Sequence, residues 1–321
     1  MQIVAEIGST HRGDLKTALF LIDEAKAAQA NAVKFIMTDA DALIADKSIQ
    51  YENEGNLYEI IKGFQFADSQ WKAIFEYCKN IGIECFVSIG TPNYIELAES
   101  LGCPRYKIGA WDIRNKYLID AIAETRKPVL VDISNAIYGE VCSLISWLRM
   151  PASGITLVYE SHGELNLNSI PFLKDTFTGC RIGYSSNDRG IVPDIIAVTI
   201  GVDYIEKRIA LNDSGHHADM SLSAKEFKEW VKNIREAKTH LGKYGLYPSM
   251  TDIAGKQKYF TSLVFSQDVK AGETITQDMC CAMRPGHGIA PIYDYLFIGK
   301  PAKRDIKQYE LATYEMVDEW K

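Results

Sequence analysis

The chain has 321 residues, 47% hydrophobic and 24% charged, with a formal net charge of −7. That length and composition fit an ordinary globular enzyme with one large domain and a small one. The acidic balance argues against a nucleic-acid partner, and the lack of an apolar run of spanning length argues against a membrane partner. The start, Gln2-Ile3-Val4-Ala5, reads as a strand and not as a signal peptide. The seven cysteines are scattered, and the adjacent Cys280-Cys281 have no metal-site spacing, so reduced thiols and a cytoplasmic location are expected.

In chain order, short apolar runs predict strands at 3–7, 32–36, 83–89, 106–108, 129–133, 155–159, 181–184 and 204–206. Longer amphipathic stretches between and after them predict helices at 15–28, 69–80, 94–101, 116–125, 193–200 and 224–241. Strands alternating with helices in this way predict an α/β fold, a (β/α)8 TIM barrel over residues 1–241. A doubly wound sheet would carry a Gly-rich fingerprint after the first strand, which is missing. Residues 242–258, rich in Gly and polar groups, read as a linker. Residues 259–321 read as a small, mainly β module. It contains the turn Lys270-Ala271-Gly272-Glu273 and the loop Arg284-Pro285-Gly286-His287-Gly288. The aromatic run Tyr293-Asp294-Tyr295-Leu296-Phe297 is expected to be module core.

A barrel builds its active site where its strands end. The polar residues there are Glu6, Lys34, Ser88, Lys107, Asp132, Tyr159, Glu160, Ser185, Asn187, Glu206 and Arg208. Charged residues in buried strands need partners, so the plain structural alternative is an ion-pair network plugging the barrel mouth. Arg284, beside Pro and Gly, places a planar cation on a rigid turn, which suits a carboxylate or a phosphate. Lys34 or Lys107, if desolvated, could form a Schiff base. His11 reads equally as a substrate contact or as a loop histidine at a helix entry. Glu160-Ser161-His162 resembles a catalytic triad in composition only.

The motifs Ala5-Glu6-Ile7-Gly8-Ser9-Thr10-His11, Arg105-Tyr106-Lys107-Ile108-Gly109, Gly183-Tyr184-Ser185, Ile205-Glu206-Lys207, Arg284-Pro285-Gly286 and Ile298-Gly299-Lys300 follow one another in order. Together they resemble the sialic acid synthase family, a barrel that condenses phosphoenolpyruvate with an N-acylated aminosugar, followed by an antifreeze-like SAF domain. The resemblance implies a phosphoenolpyruvate and small-sugar enzyme making a nonulosonic-type acid and phosphate. It implies a domain-swapped homodimer in which Arg284 lies over the neighbour's barrel. The expected catalytic set is Glu6, Glu206 and Arg208. Lys34, Lys107, Ser185, Asn187, Tyr159 and Arg284 are expected to bind substrate.

The departures from the family are concentrated at its metal and phosphate positions. Two histidines that hold a divalent metal in the family are Asn187 and Arg208 here. The serine after Lys-Ile-Gly is Ala110, and a phosphate-binding Ser-Thr-Gly becomes Asp132-Ile133-Ser134. No cofactor is therefore expected. A manganese or magnesium ion would need a relocated site on His216, His217, Asp219 or Asp188. Loss of the metal also leaves open an aldolase or lyase on the same barrel, or a non-catalytic sugar-phosphate-binding paralogue.

Overall fold

The computed structural model describes residues 1–51, 55–160, 163–211 and 217–318. They form two compact units, Met1–Gly242 and Lys243–Lys321. The first is a closed barrel of eight strands: β1 (Gln2–Gly8), β2 (Ala32–Met37), β3 (Glu84–Ile89), β4 (Tyr106–Ile108), β5 (Val129–Asp132), β6 (Ile155–Tyr159), β7 (Arg181–Ser186) and β8 (Tyr204–Arg208). Each strand pairs in parallel with its sequence neighbours, and β8 closes on β1. Runs such as Ala32-Val33-Lys34-Phe35 are buried on both faces, as a helix-wrapped parallel sheet requires.

Strands β7 and β8 each run two residues beyond the apolar runs that announced them, so Ser185, Ser186, Lys207 and Arg208 are strand residues. Polar side chains hide these positions from a hydrophobicity pattern, and buried partners keep them in the sheet. Lys207 faces away from the barrel interior. Its Nζ donates to Asp194 Oδ2 at 2.9 Å and to Ser186 Oγ at 2.8 Å, and Trp230 Nε1 donates to the same Asp194 oxygen at 2.8 Å. This staple ties β7 and β8 to helices Val192–Ile200 and Ala224–His240. Gly183 is required beside it, because a Cβ there would lie 2.9 Å from the Tyr204 ring.

Helix starts follow local chemistry. Asp14 accepts from the Lys16 and Thr17 amides at the head of Leu15–Ala27, and Ser223 with Glu226 forms a capping box for Ala224–His240. Pro193 lies in the first turn of its helix. The helices Tyr138–Leu148 and Ser169–Thr176 were not anticipated. His11 is 1% exposed, stacked on Phe66 at 4.2 Å, with Nε2 3.0 Å from the Gly8 carbonyl. Burial lowers its pKa to about 4, keeping it neutral. It is a loop anchor.

In the second unit, β9 (Ser262–Phe265) pairs antiparallel with β10 (Cys280–Met283) over a core that includes Leu263, Phe265, Ile275 and Phe297. Only Leu296 and Phe297 of the aromatic run pack there; Tyr293 and Tyr295 are exposed, because a tight 3-10 stretch turns them outward. The stretch expected as a linker contains a helix, Met250–Tyr259, started by a Ser249–Asp252 capping box. That signal outweighs its polar composition. No helix among the described residues is long and apolar enough to cross a membrane.

Candidate active site

Because inward-facing residues alternate along each strand, the C-terminal strand ends converge on one cavity of about 780 Å³. Its floor is an ion network. Lys34 Nζ lies 3.1 Å from Glu6 Oε1 and 2.9 Å from Glu206 Oε1. Lys107 Nζ lies 3.2 Å from Asp132 Oδ2 and also donates to Glu206 Oε1, while Tyr204 donates to the other Glu206 oxygen. Arg208 Nη2 is 3.5 Å from Glu6 Oε2. Burial alone would raise the Glu206 pKa, but Lys107 and Lys34 hold it well below the ordinary carboxylate range. Burial would lower the Lys107 pKa, yet Glu206, Asp132, Glu160 and Glu6 push it well up.

Of the nine residues expected in the site, Glu6, Lys34, Lys107, Asn187 and Arg208 line the cavity. Four do not. Glu206 is fully buried beneath the two lysines it holds, so it positions them and does not face a substrate. Ser185 is opposite Glu206 in the β7–β8 register, one layer below Asn187. Tyr159 ends β6 with its hydroxyl accepting from the Asn166 amide at 3.3 Å, which turns it into the following loop. Arg284 belongs to the second unit, where its Nε donates to the Tyr259 carbonyl at 2.6 Å.

The strand-end pattern also pointed to Ser88, Asp132 and Glu160, and all three line the cavity. Trp111, Asp112 and Arg189 line it as well and were missed. Trp111 and Asp112 follow Lys107-Ile108-Gly109-Ala110 directly, so proximity to a strand end was the available signal. Burial raises the Asp112 pKa to about 6. Arg189 reaches Glu226 at 3.0 Å.

The residues at the family's metal position do not fit a dication. Asn187 spends its amide on Glu160 Oε1 at 2.5 Å, and the Arg208 guanidinium brings a fixed positive charge to the same region. At the relocated position, His216 and residues Ser161 and His162 lie outside the described residues. His217 and Asp219 line the cavity. Among the described residues no group of three or more His, Cys, Asp or Glu is placed to hold a metal ion.

The fold is thus a helix-wrapped barrel with a charged mouth, followed in the chain by a small, separate β module. The NeuB family model matches residues 21–245 and the SAF domain model residues 260–318. The chain belongs to the NeuB family. A pseudaminic acid synthase of Campylobacter jejuni is 30% identical over 322 residues, 95% of this chain and 93% of that one. An N,N'-diacetyllegionaminic acid synthase of Legionella pneumophila is 29% identical over 311 residues, 90% of this chain and 86% of that one. A Chromobacterium violaceum protein assigned to spore coat polysaccharide biosynthesis superposes with a TM-score of 0.83 at 18% identity, covering 99% of each chain, which speaks for the fold.

Proposed function

We propose that this protein condenses phosphoenolpyruvate with an N-acylated aminosugar, forming a nonulosonic-type acid and releasing phosphate. The observation that carries the reading is the cavity lined by Lys34, Lys107 and Arg208 at the strand ends of a NeuB-family barrel. Its relatives bear the names of pseudaminic and legionaminic acid synthases. Lys34 and Lys107 give phosphoenolpyruvate its cationic contacts by exchanging part of their hold on Glu6 and Asp132. Arg208, placed on Glu6, supplies fixed positive charge to polarise the sugar aldehyde, without a metal.

A Schiff-base aldolase is the less supported reading. A Schiff-base lysine must be neutral, whereas Lys107 is held protonated by carboxylates and Lys34 lies between Glu6 and Glu206. We further propose a cytoplasmic homodimer in which the 259–321 module, carrying Arg284, completes the barrel mouth of its neighbour. The resemblance to the sialic acid synthase family supports that arrangement. The deciding assay incubates the protein with phosphoenolpyruvate and a panel of N-acylated aminosugars and follows phosphate release. Sugar-dependent release with one member is the expected result; no release with any aldose overturns the reading.

A further inference from the structure

Asp132 ends β5, and Glu160 follows the last residue of the adjacent β6. Both are buried, at 3% and 6% exposure, and both line the cavity. Each carboxyl group acts directly on the other's charge. Two carboxylates buried this close to each other repel, which favours one of them as an acid. The charges around it point the same way. Among the described residues, four buried carboxyl groups (Glu6, Asp132, Glu160 and Glu206) meet three buried cations (Lys34, Lys107 and Arg208) at this mouth. One proton balances the set.

The surroundings say which residue holds it. Asp132 accepts from the Ser134 amide at 3.1 Å, accepts from the Ser134 hydroxyl, and lies 3.2 Å from Lys107. Glu160 accepts from two neutral groups, Asn187 at 2.5 Å and Ser185. From β8, Arg208 adds its field, while Lys107 on β4 is shared with Glu206.

We propose that Glu160, paired with Asp132, is the proton carrier of this site. The assignment rests on the condensation proposed above. The enol phosphate C3 donates its π pair to the aldehyde carbon, and the aldehyde oxygen takes the Glu160 proton to become a hydroxyl. Water then adds to the cationic C2 and gives a proton to the Glu160 carboxylate, restoring the acid. The C2–O bond breaks with its electrons leaving on phosphate, which carries away the remaining hydroxyl proton. No oxidant or reductant is needed. Burial and the Asp132 charge raise the Glu160 pKa to about 7, while Lys107 and Ser134 overcome burial to hold Asp132 low. A donor near working pH is the efficient choice for both half-steps.

The test uses the full chain and two readouts. In the first, phosphate release is followed from pH 5.5 to 9 for the wild type, Glu160→Gln and Glu160→Asp. Glu160→Gln should lower kcat by about 100-fold or more with the KM for phosphoenolpyruvate changed less than about threefold. It should also lose the limb of the pH profile near 7, and Glu160→Asp should recover part of both. In the second, carboxyl-13C-glutamate NMR of the unliganded protein assigns the Glu160 signal by its loss in a folded variant and follows its titration. A midpoint near 7 supports the shared proton. A midpoint in the ordinary carboxylate range overturns the assignment whatever the activity. A wild type that condenses, with Glu160→Gln active within about fivefold and its profile unchanged, overturns it too. A wild type that releases no phosphate overturns the condensation and the carrier role with it, and the NMR midpoint then reports on the proton alone.

Discussion

Glu160→Gln is expected to make the folded protein more stable while disabling it, by a margin that grows as pH rises from about 4.5 to 7. The amide oxygen still accepts from Asn187 and the amide nitrogen still donates toward Asp132, so the substitution mimics the protonated acid. The Glu160 carboxyl, at about 7 against an ordinary 4.5, binds its proton more tightly in the folded chain than in the unfolded one. Below about pH 4.5 both states are protonated and nothing is lost. Between about 4.5 and 7 the unfolded state releases a proton that the folded state keeps, so stability falls as pH rises. Above 7 the full cost is present.

The gap corresponds to at most about 3 kcal/mol, less whatever Asp132 absorbs as it titrates with its partner. Relative to wild type, Glu160→Gln should be nearly equal near pH 4. At pH 8.5 it should be more stable by about 1–3 kcal/mol, or several degrees in Tm. Urea unfolding followed by tryptophan fluorescence at the two pH values measures this. Asp112, which titrates in the same window, is present in both proteins and cancels. A stability difference that stays the same at both pH values, or a variant less stable at pH 8.5, refutes the reasoning.

Lys207→Met strands the Asp194 carboxylate in the helix layer and should cost about 3–5 kcal/mol, partly recovered at lower pH as Asp194 protonates; urea unfolding that shows a loss under about 1 kcal/mol contradicts the staple. Sugar-dependent phosphate release should survive dialysis against a chelator, with no stoichiometric manganese found by elemental analysis. Activity lost on chelation and restored by manganese sinks the metal-free reading. Lys107→Ala and Arg284→Ala should each be inactive alone, and mixing them under conditions of subunit exchange should restore part of the activity. A mixture that exchanges yet stays inactive shows that each module serves its own chain.

The barrel was legible because its strands are short apolar runs, and buried β-structure has few other ways of being written. The ends of β7 and β8 were not, since Ser185, Ser186, Lys207 and Arg208 are buried by partners distant in sequence, and polarity alone reads them as loop. Glu6, Lys34, Lys107, Asn187 and Arg208 were found as strand-end polar residues. Depth was the hidden coordinate. Glu206 and Ser185 share that pattern but lie one layer further in, and no spacing rule distinguishes a side chain that meets ligand from one that props its neighbour. Trp111 and Arg189 are loop residues whose placement depends on how each loop folds back.

The back-to-back arrangement on β8 bears on how such a barrel changes over time. Arg208 lines the cavity and Glu206 props the two lysines beneath it, while Lys207 between them is bolted to Asp194 behind the sheet. The bolt fixes the height and tilt of the strand without help from the groups in front. Arg208 at the mouth can therefore be exchanged for another residue while β8, which carries it, stays where it was. The scaffold tolerates experiments in chemistry because its alignment is set from the side the substrate never sees.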